Sequence, residues 1–233
     1  MTAAAGTPTT RLSSEELGYL LQLAPGDHEL AAERLRLPAD DAAGRAALAA
    51  RGGVRIEHGT IRPTLENAAA ALVLAAATSW VEIGVAGAGR ADVLHVVAGA
   101  GAVLVVNRRA LGVWEFTGLR PGVPIGAGVL RMLAALVDAP TSGLVVVNRV
   151  LGSGDAGDSG GGAGPAAVIG VRAGEHWRLA RRDDVLPAGA VAAQSRTTEP
   201  GPGWTAMGAG GPADLLSWVA LVVGAGEPNR APR

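Results

Sequence analysis

The chain contains no cysteine, which removes disulfides, thiolate nucleophiles and cysteine-ligated zinc from consideration. It contains no lysine either: every basic residue is arginine, scattered along a chain of net charge −1. That distribution leaves no electrostatic footprint for nucleic acid. Aromatics are scarce, with five tryptophans beside one Phe and one Tyr. Long apolar runs are also missing. The longest, at 68–77 and 93–106, fall short of the roughly 20 residues of a membrane span, and the second is broken by glycine and carries His95. The first ten residues are small and polar, without an apolar stretch of the signal-peptide kind. These absences predict a soluble, cytoplasmic protein with no stable membrane insertion.

What is plentiful is small and apolar. Apolar residues fill 48% of 233 positions, enough to bury a substantial core. The 35 glycines, with abundant alanine and arginine, resemble a GC-rich coding bias, so no glycine motif carries much weight by itself.

Local patterns divide the chain. Residues 1–10 read as a loose tail, and 225–233 as another. Ser13-Ser14-Glu15-Glu16 matches a capping box, followed by the stripe Leu17, Leu20, Leu21 and Leu23 and the stop Pro25-Gly26. Residues 29–37 fit a strand or a short helix. A second helix is expected over 42–50, ending at Gly52-Gly53. Val54, Ile56 and Ile61 flank a His58-Gly59 turn, and Pro63-Thr64 opens a third helix running to about Thr78. From Trp80 the period turns strand-like: Val81, Ile83 and Val85 alternate, and 93–98, 102–107 and 111–117 follow as in a meander. A helix at 128–137, a strand at 144–151 and a Gly/Ser/Asp linker at 152–165 come next. A hairpin turns at Ala173-Gly174, strands are expected at 190–197 and 204–207, and a helix closes the chain at 212–223. Trp114-Glu115-Phe116 and Trp204-Thr205-Ala206-Met207 each lead through a Gly/Pro turn into an apolar helix. This echo suggests two halves around an antiparallel sheet.

Few groups offer chemistry. Glu82-Ile83-Gly84-Val85-Ala86-Gly87-Ala88-Gly89 is the sharpest enzyme-like string, similar to the first motif of S-adenosylmethionine-dependent methyltransferases. There, glycines at a strand-to-helix turn let backbone approach the ligand. Its glycines sit one residue out of register, and Asn107-Arg108 stands where an acid should bind ribose. A methyltransferase using Glu82 to Gly89 is the alternative function. Gly152-Ser153-Gly154-Asp155-Ala156-Gly157 runs into further glycines and opens no helix toward a phosphate. His28, His58, His95 and His176 lack metal-ligand spacing, and no serine occupies a nucleophile elbow. No cofactor, no metal and no catalytic set is expected. The helix–hairpin–helix start could be a winged helix, but its recognition helix would offer chiefly Arg45. Tryptophan and arginine anchor protein interfaces, so Trp114 with Phe116, and Trp177 with Arg178, are the candidate partner-binding residues.

Three stretches carry a family likeness: Ser14-Glu15-Glu16-Leu17 onward; Leu48-Ala49-Ala50-Arg51-Gly52-Gly53-Val54 through Arg62-Pro63-Thr64-Leu65; and Gly203-Trp204 through Pro212-Ala213-Asp214-Leu215-Leu216. In these the chain resembles the EspG family, cytosolic chaperones associated with type VII (ESX) secretion in actinobacteria. The resemblance implies an α+β fold: a central curved antiparallel β-sheet with flanking helical bundles and pseudo-twofold halves. It implies one domain over 1–233, its halves at about 11–140 and 141–224. It also implies recognition without catalysis, of a protein client such as a PE–PPE pair or another helical secretion substrate. Such a client exposes an apolar tip that a complementary surface would remove from water.

Overall fold

The computed structural model describes residues 9–38, 41–58, 60–87, 90–119, 124–137, 143–151, 165–197 and 199–224. The linker expected at 152–165 lies outside the described residues except for Pro165, as do 1–8 of the expected N-terminal tail and the whole of 225–233.

The strands are β1 (Thr9–Ser13), β2 (Val54–Glu57), β3 (Thr60–Pro63), β4 (Ala77–Gly87), β5 (Arg90–Gly99), β6 (Ala102–Arg108) and β7 (Val113–Gly118), then β8 (Leu144–Leu151), β9 (Ala167–Ala173), β10 (His176–Arg182) and β11 (Thr205–Gly210). The helices are α1 (Ser14–Leu23), α2 (Glu29–Leu35), α3 (Asp41–Ala50), α4 (Leu65–Ala75), α5 (Ile125–Val137), α6 (Ala190–Gln194) and α7 (Pro212–Val222). β2 and β3 form a separate hairpin, and the other strands build one nine-stranded sheet ordered β1-β7-β6-β5-β4-β8-β9-β10-β11. Every pairing with a described register is antiparallel, β4 with β8 included.

Outward from the β4–β8 pair, the order reads the same in both directions. One meander runs β4, β5, β6, β7 and is followed by α5; the other runs β8, β9, β10, β11 and is followed by α7. The echo between the two Trp-containing segments thus has a topological basis, and the expected α+β class with a large antiparallel sheet is met.

The chain divides into two compact units, Met1–Thr78 with Val97–Pro121, and Ser79–Val96 with Gly122–Arg233. In the first, Ser13 caps α1 as read: its hydroxyl accepts from Glu16 N at 3.2 Å, while Glu16 Oε2 accepts from Ser13 N at 2.8 Å. The other Glu16 oxygen accepts from Arg51 Nε at 2.6 Å, and Gly53 O accepts from Asn67 Nδ2 and Thr64 N, both at 3.0 Å. The Arg-Gly-Gly-Val turn is therefore tied to the opening helix on one side and to α4 on the other. α3 packs on α1 at Gly44, where an added Cβ would overlap the Glu15 carbonyl oxygen.

In the second unit, one face of the sheet carries Leu144, Val146, Ile169 and Val171 against Leu186 and Val191. Leu215 of α7 touches Gly170, and Val129, Leu133 and Val137 give α5 a buried stripe at helical spacing.

Several boundaries differ from expectation. Thr9 and Thr10 belong to β1, a strand the local pattern hides because only Leu12 of it is buried. Of the two readings for 29–37, the short helix is met but ends early, at Leu35 (α2), with Asp27 Oδ1 accepting from Glu29 N at 3.0 Å. The third helix stops at Ala75, and Ala77 already begins β4. The strand expected at 190–197 is the short helix α6: its Ala-rich run favours helix, and Val191 is drawn into the core.

Candidate functional site

The string from Glu82 to Gly87 lies wholly within β4, and the element that follows is β5, its neighbour in the sheet. Neighbouring strands joined by so few residues must form an antiparallel hairpin. The strand-to-helix turn of a methyltransferase cradle does not form, so that alternative is set aside. The residues of the string have packing roles instead. Gly84 seats α6: a Cβ there would overlap Ser195 Oγ and come within 2.8 Å of Val191 Cγ1. Glu82 is 2% exposed, and its Oε2 accepts from Asn148 Nδ2 at 2.9 Å. Asn148, fully buried, also accepts the Leu186 amide at 2.9 Å and so fixes the segment that covers the sheet. His95 joins from β5, with Nδ1 3.8 Å from Glu82 Oε1 and accepting from Trp80 Nε1 at 3.3 Å. This is an interior network of mutually bonded polar groups, as their burial requires.

Nothing in the sequence pointed to Asn148, because an asparagine inside an apolar strand is informative only once its partners are known.

The four candidate partner-binding residues lie on two strands, β7 and β10, that are not neighbours in the sheet. Trp114 and Phe116 are each 2% exposed, paired on β7 opposite Leu12 and Thr10 of β1. The indole of Trp114 donates to Ser14 Oγ at 3.1 Å, and Arg108 stacks on its ring. Trp177 is wholly buried with the Arg172 guanidinium over its ring at 5.6 Å. These three side chains are core, and of the four only Arg178 is exposed.

Arg178 lies on the rim of a cleft of about 610 Å³ within the second unit. Ala86, Ala91, Leu144 and Val171 supply apolar wall, and Arg178 and Arg196 supply positive charge, whereas the Arg172 guanidinium lies over Trp177 on the other face of the sheet. No Asp or Glu is among the described residues that line it. Ser195, whose hydroxyl donates to Val191 O at 2.8 Å, and Thr197 complete the polar side. Arg196 and its neighbours escaped sequence reading because a strand at 190–197 would have placed them on alternating faces.

A second charged cluster belongs to the first unit. Glu115 accepts from Arg109 Nη2 at 2.6 Å and from Arg11 Nε at 2.9 Å. The Arg109 hydrogen bond, then that of Arg11, holds its carboxyl below the ordinary value of 4.5. The arrangement links β1, β7 and the turn after β6, and it offers no nucleophile or proton acceptor poised near neutrality. Among the described residues, no cluster of His, Asp and Glu could hold a metal ion, and no helix is long and apolar enough to cross a membrane.

No protein-family model matches the sequence, and no curated protein matches it significantly. Solved structures do. The chain is similar to the Mycobacterium tuberculosis type VII secretion system chaperone EspG5, whose structure was solved in complex with the PE25–PPE41 dimer. The match covers 92% of this chain and 95% of that one, with a TM-score of 0.53 and 12% sequence identity. At that identity the likeness shows the fold. The resemblance read from short helical and turn motifs is thus met in three dimensions.

Proposed function

We propose that this protein is a non-catalytic, cytoplasmic chaperone or adaptor of type VII-like secretion. As a single functional domain, its halves at about 11–140 and 141–224, it binds a helical client of the PE/PPE kind or another helical secretion substrate and keeps the client's apolar tip from self-association. The observation that carries this reading is the fold likeness, which runs through nearly the full length of both chains to a chaperone solved with its client bound. Covering a few hundred Å² of apolar surface at about 25 cal/mol per Å² supplies several kcal/mol before association costs. That suits a partner which must later be released. No cofactor enters the proposal.

The test is co-expression with helical secretion-substrate candidates from neighbouring genes, followed by size-exclusion chromatography. A stable complex that raises client solubility is the expected outcome; client aggregation unchanged by the protein, for every candidate, would overturn the reading. Calorimetry with S-adenosylmethionine should give no binding heat.

A further inference from the structure

We propose that the arginine-lined cleft of the second unit receives an acidic segment of a protein partner, its carboxylates held by Arg178 and Arg196 and its small apolar side chains laid on Ala86, Ala91 and Leu144. This rests on the chaperone reading and names the chemistry of its client. The argument begins with charge. Arg178 and Arg196 bring positive charge to the cleft and no carboxylate lines it among the described residues. Arg196 is exposed, and its side chain has no ion-pair partner among the described residues. Guanidinium groups match carboxylates by forked, charge-assisted hydrogen bonds.

Size and lining then narrow the ligand. At about 610 Å³ the cleft has room for several side chains, and an inorganic anion would leave its alanine and leucine walls facing water. A ligand carrying both acid and apolar groups covers both kinds of surface, as a peptide does. Gly87 and Gly143 also line the cleft, and without side chains they leave room for main chain to approach. Ser195, Arg196 and Thr197 enter the cleft from the end of α6, a helix that is seated against Gly84.

The test uses the full chain and two fluorescein-labelled peptides, Ala-Leu-Glu-Glu-Leu-Ala and its Gln-Gln counterpart, read by fluorescence anisotropy. At low salt the acidic peptide should bind about tenfold or more tightly than the amide one, as expected for charge-assisted contacts. The preference should fade as salt is raised. The Arg178→Glu/Arg196→Glu variant should lose it, while Arg178→Lys/Arg196→Lys retains part of it; circular dichroism checks that both are folded. Equal binding of the two peptides, no binding of either, or a preference unchanged in the charge-reversed variant would overturn the proposal. So would full competition by millimolar inorganic phosphate, which would mark a site for free anions. Co-purification separates the two readings. A client held equally by the wild type and the charge-reversed variant removes the cleft and leaves the chaperone. Peptide discrimination without any helical client removes the chaperone and leaves the cleft.

Discussion

Glu82 and Glu115 stand in the middle of strands of the same sheet, one in each compact unit, and are held in opposite ways. Glu115 meets two arginines whose own side chains are largely in water, Arg11 70% and Arg109 53% exposed. Glu82 meets an amide and an imidazole that are themselves buried, Asn148 and His95. The first is an ionised clamp that draws an edge strand onto β7. The second is part of an interior network whose output is positional, because Asn148 passes the constraint on to Leu186 and the segment over the sheet. Polar residues fasten an edge strand in one unit and hold the Leu186 segment over the sheet in the other.

Four substitutions would break or sharpen that contrast. Asn148→Ala strips the Leu186 amide and the Glu82 carboxylate of a buried partner at once. It should cost roughly 3–5 kcal/mol in urea denaturation, and a loss under about 1 kcal/mol would show that the network is not structural. Gly84→Val forces side-chain atoms into Ser195 and Val191, with an expected loss of about 1–3 kcal/mol. Hydrogen exchange should show faster exchange at the amides of α6, and unchanged protection there would contradict the seating role. Ser13→Ala removes one arm of the capping box in the first unit and should lower stability by about 1 kcal/mol, read from the thermal midpoint.

The smallest overall change belongs to Glu115→Gln, and it is visible in pH. The carboxyl of Glu115 is held below its ordinary 4.5, so its stabilising contribution is present above that value and is lost as pH falls through the lowered one. The gap between wild type and variant should therefore narrow on acidification from neutral pH. A gap independent of pH would sink the clamp.

Particular residues show where local reading sufficed. The Ser13 capping box, the strand Leu144–Leu151 and the turn at Ala173-Gly174 are all written in neighbours within a few positions, and each is found where expected. β1 was missed because Thr9, Thr10 and Arg11 carry no alternation of their own, and it is a strand by virtue of pairing with Val113 to Thr117. Trp114, Phe116 and Trp177 were candidates for a partner-binding role on residue type alone, yet each is 2% exposed or less. Only Arg178 of that set meets Arg196, which lies on a different element.

The sequence by itself determined most of the element types, the capping and turn chemistry and the α+β class, because these depend on periodicity and on groups a few residues apart. Tertiary structure alone decided that the glycine string is a helix seat, that Asn148 holds a distant amide, and that Arg178 of β10 and Arg196 at the end of α6 share one cleft. Those outcomes depend on which strands become neighbours, and that follows from burying apolar surface across the whole chain.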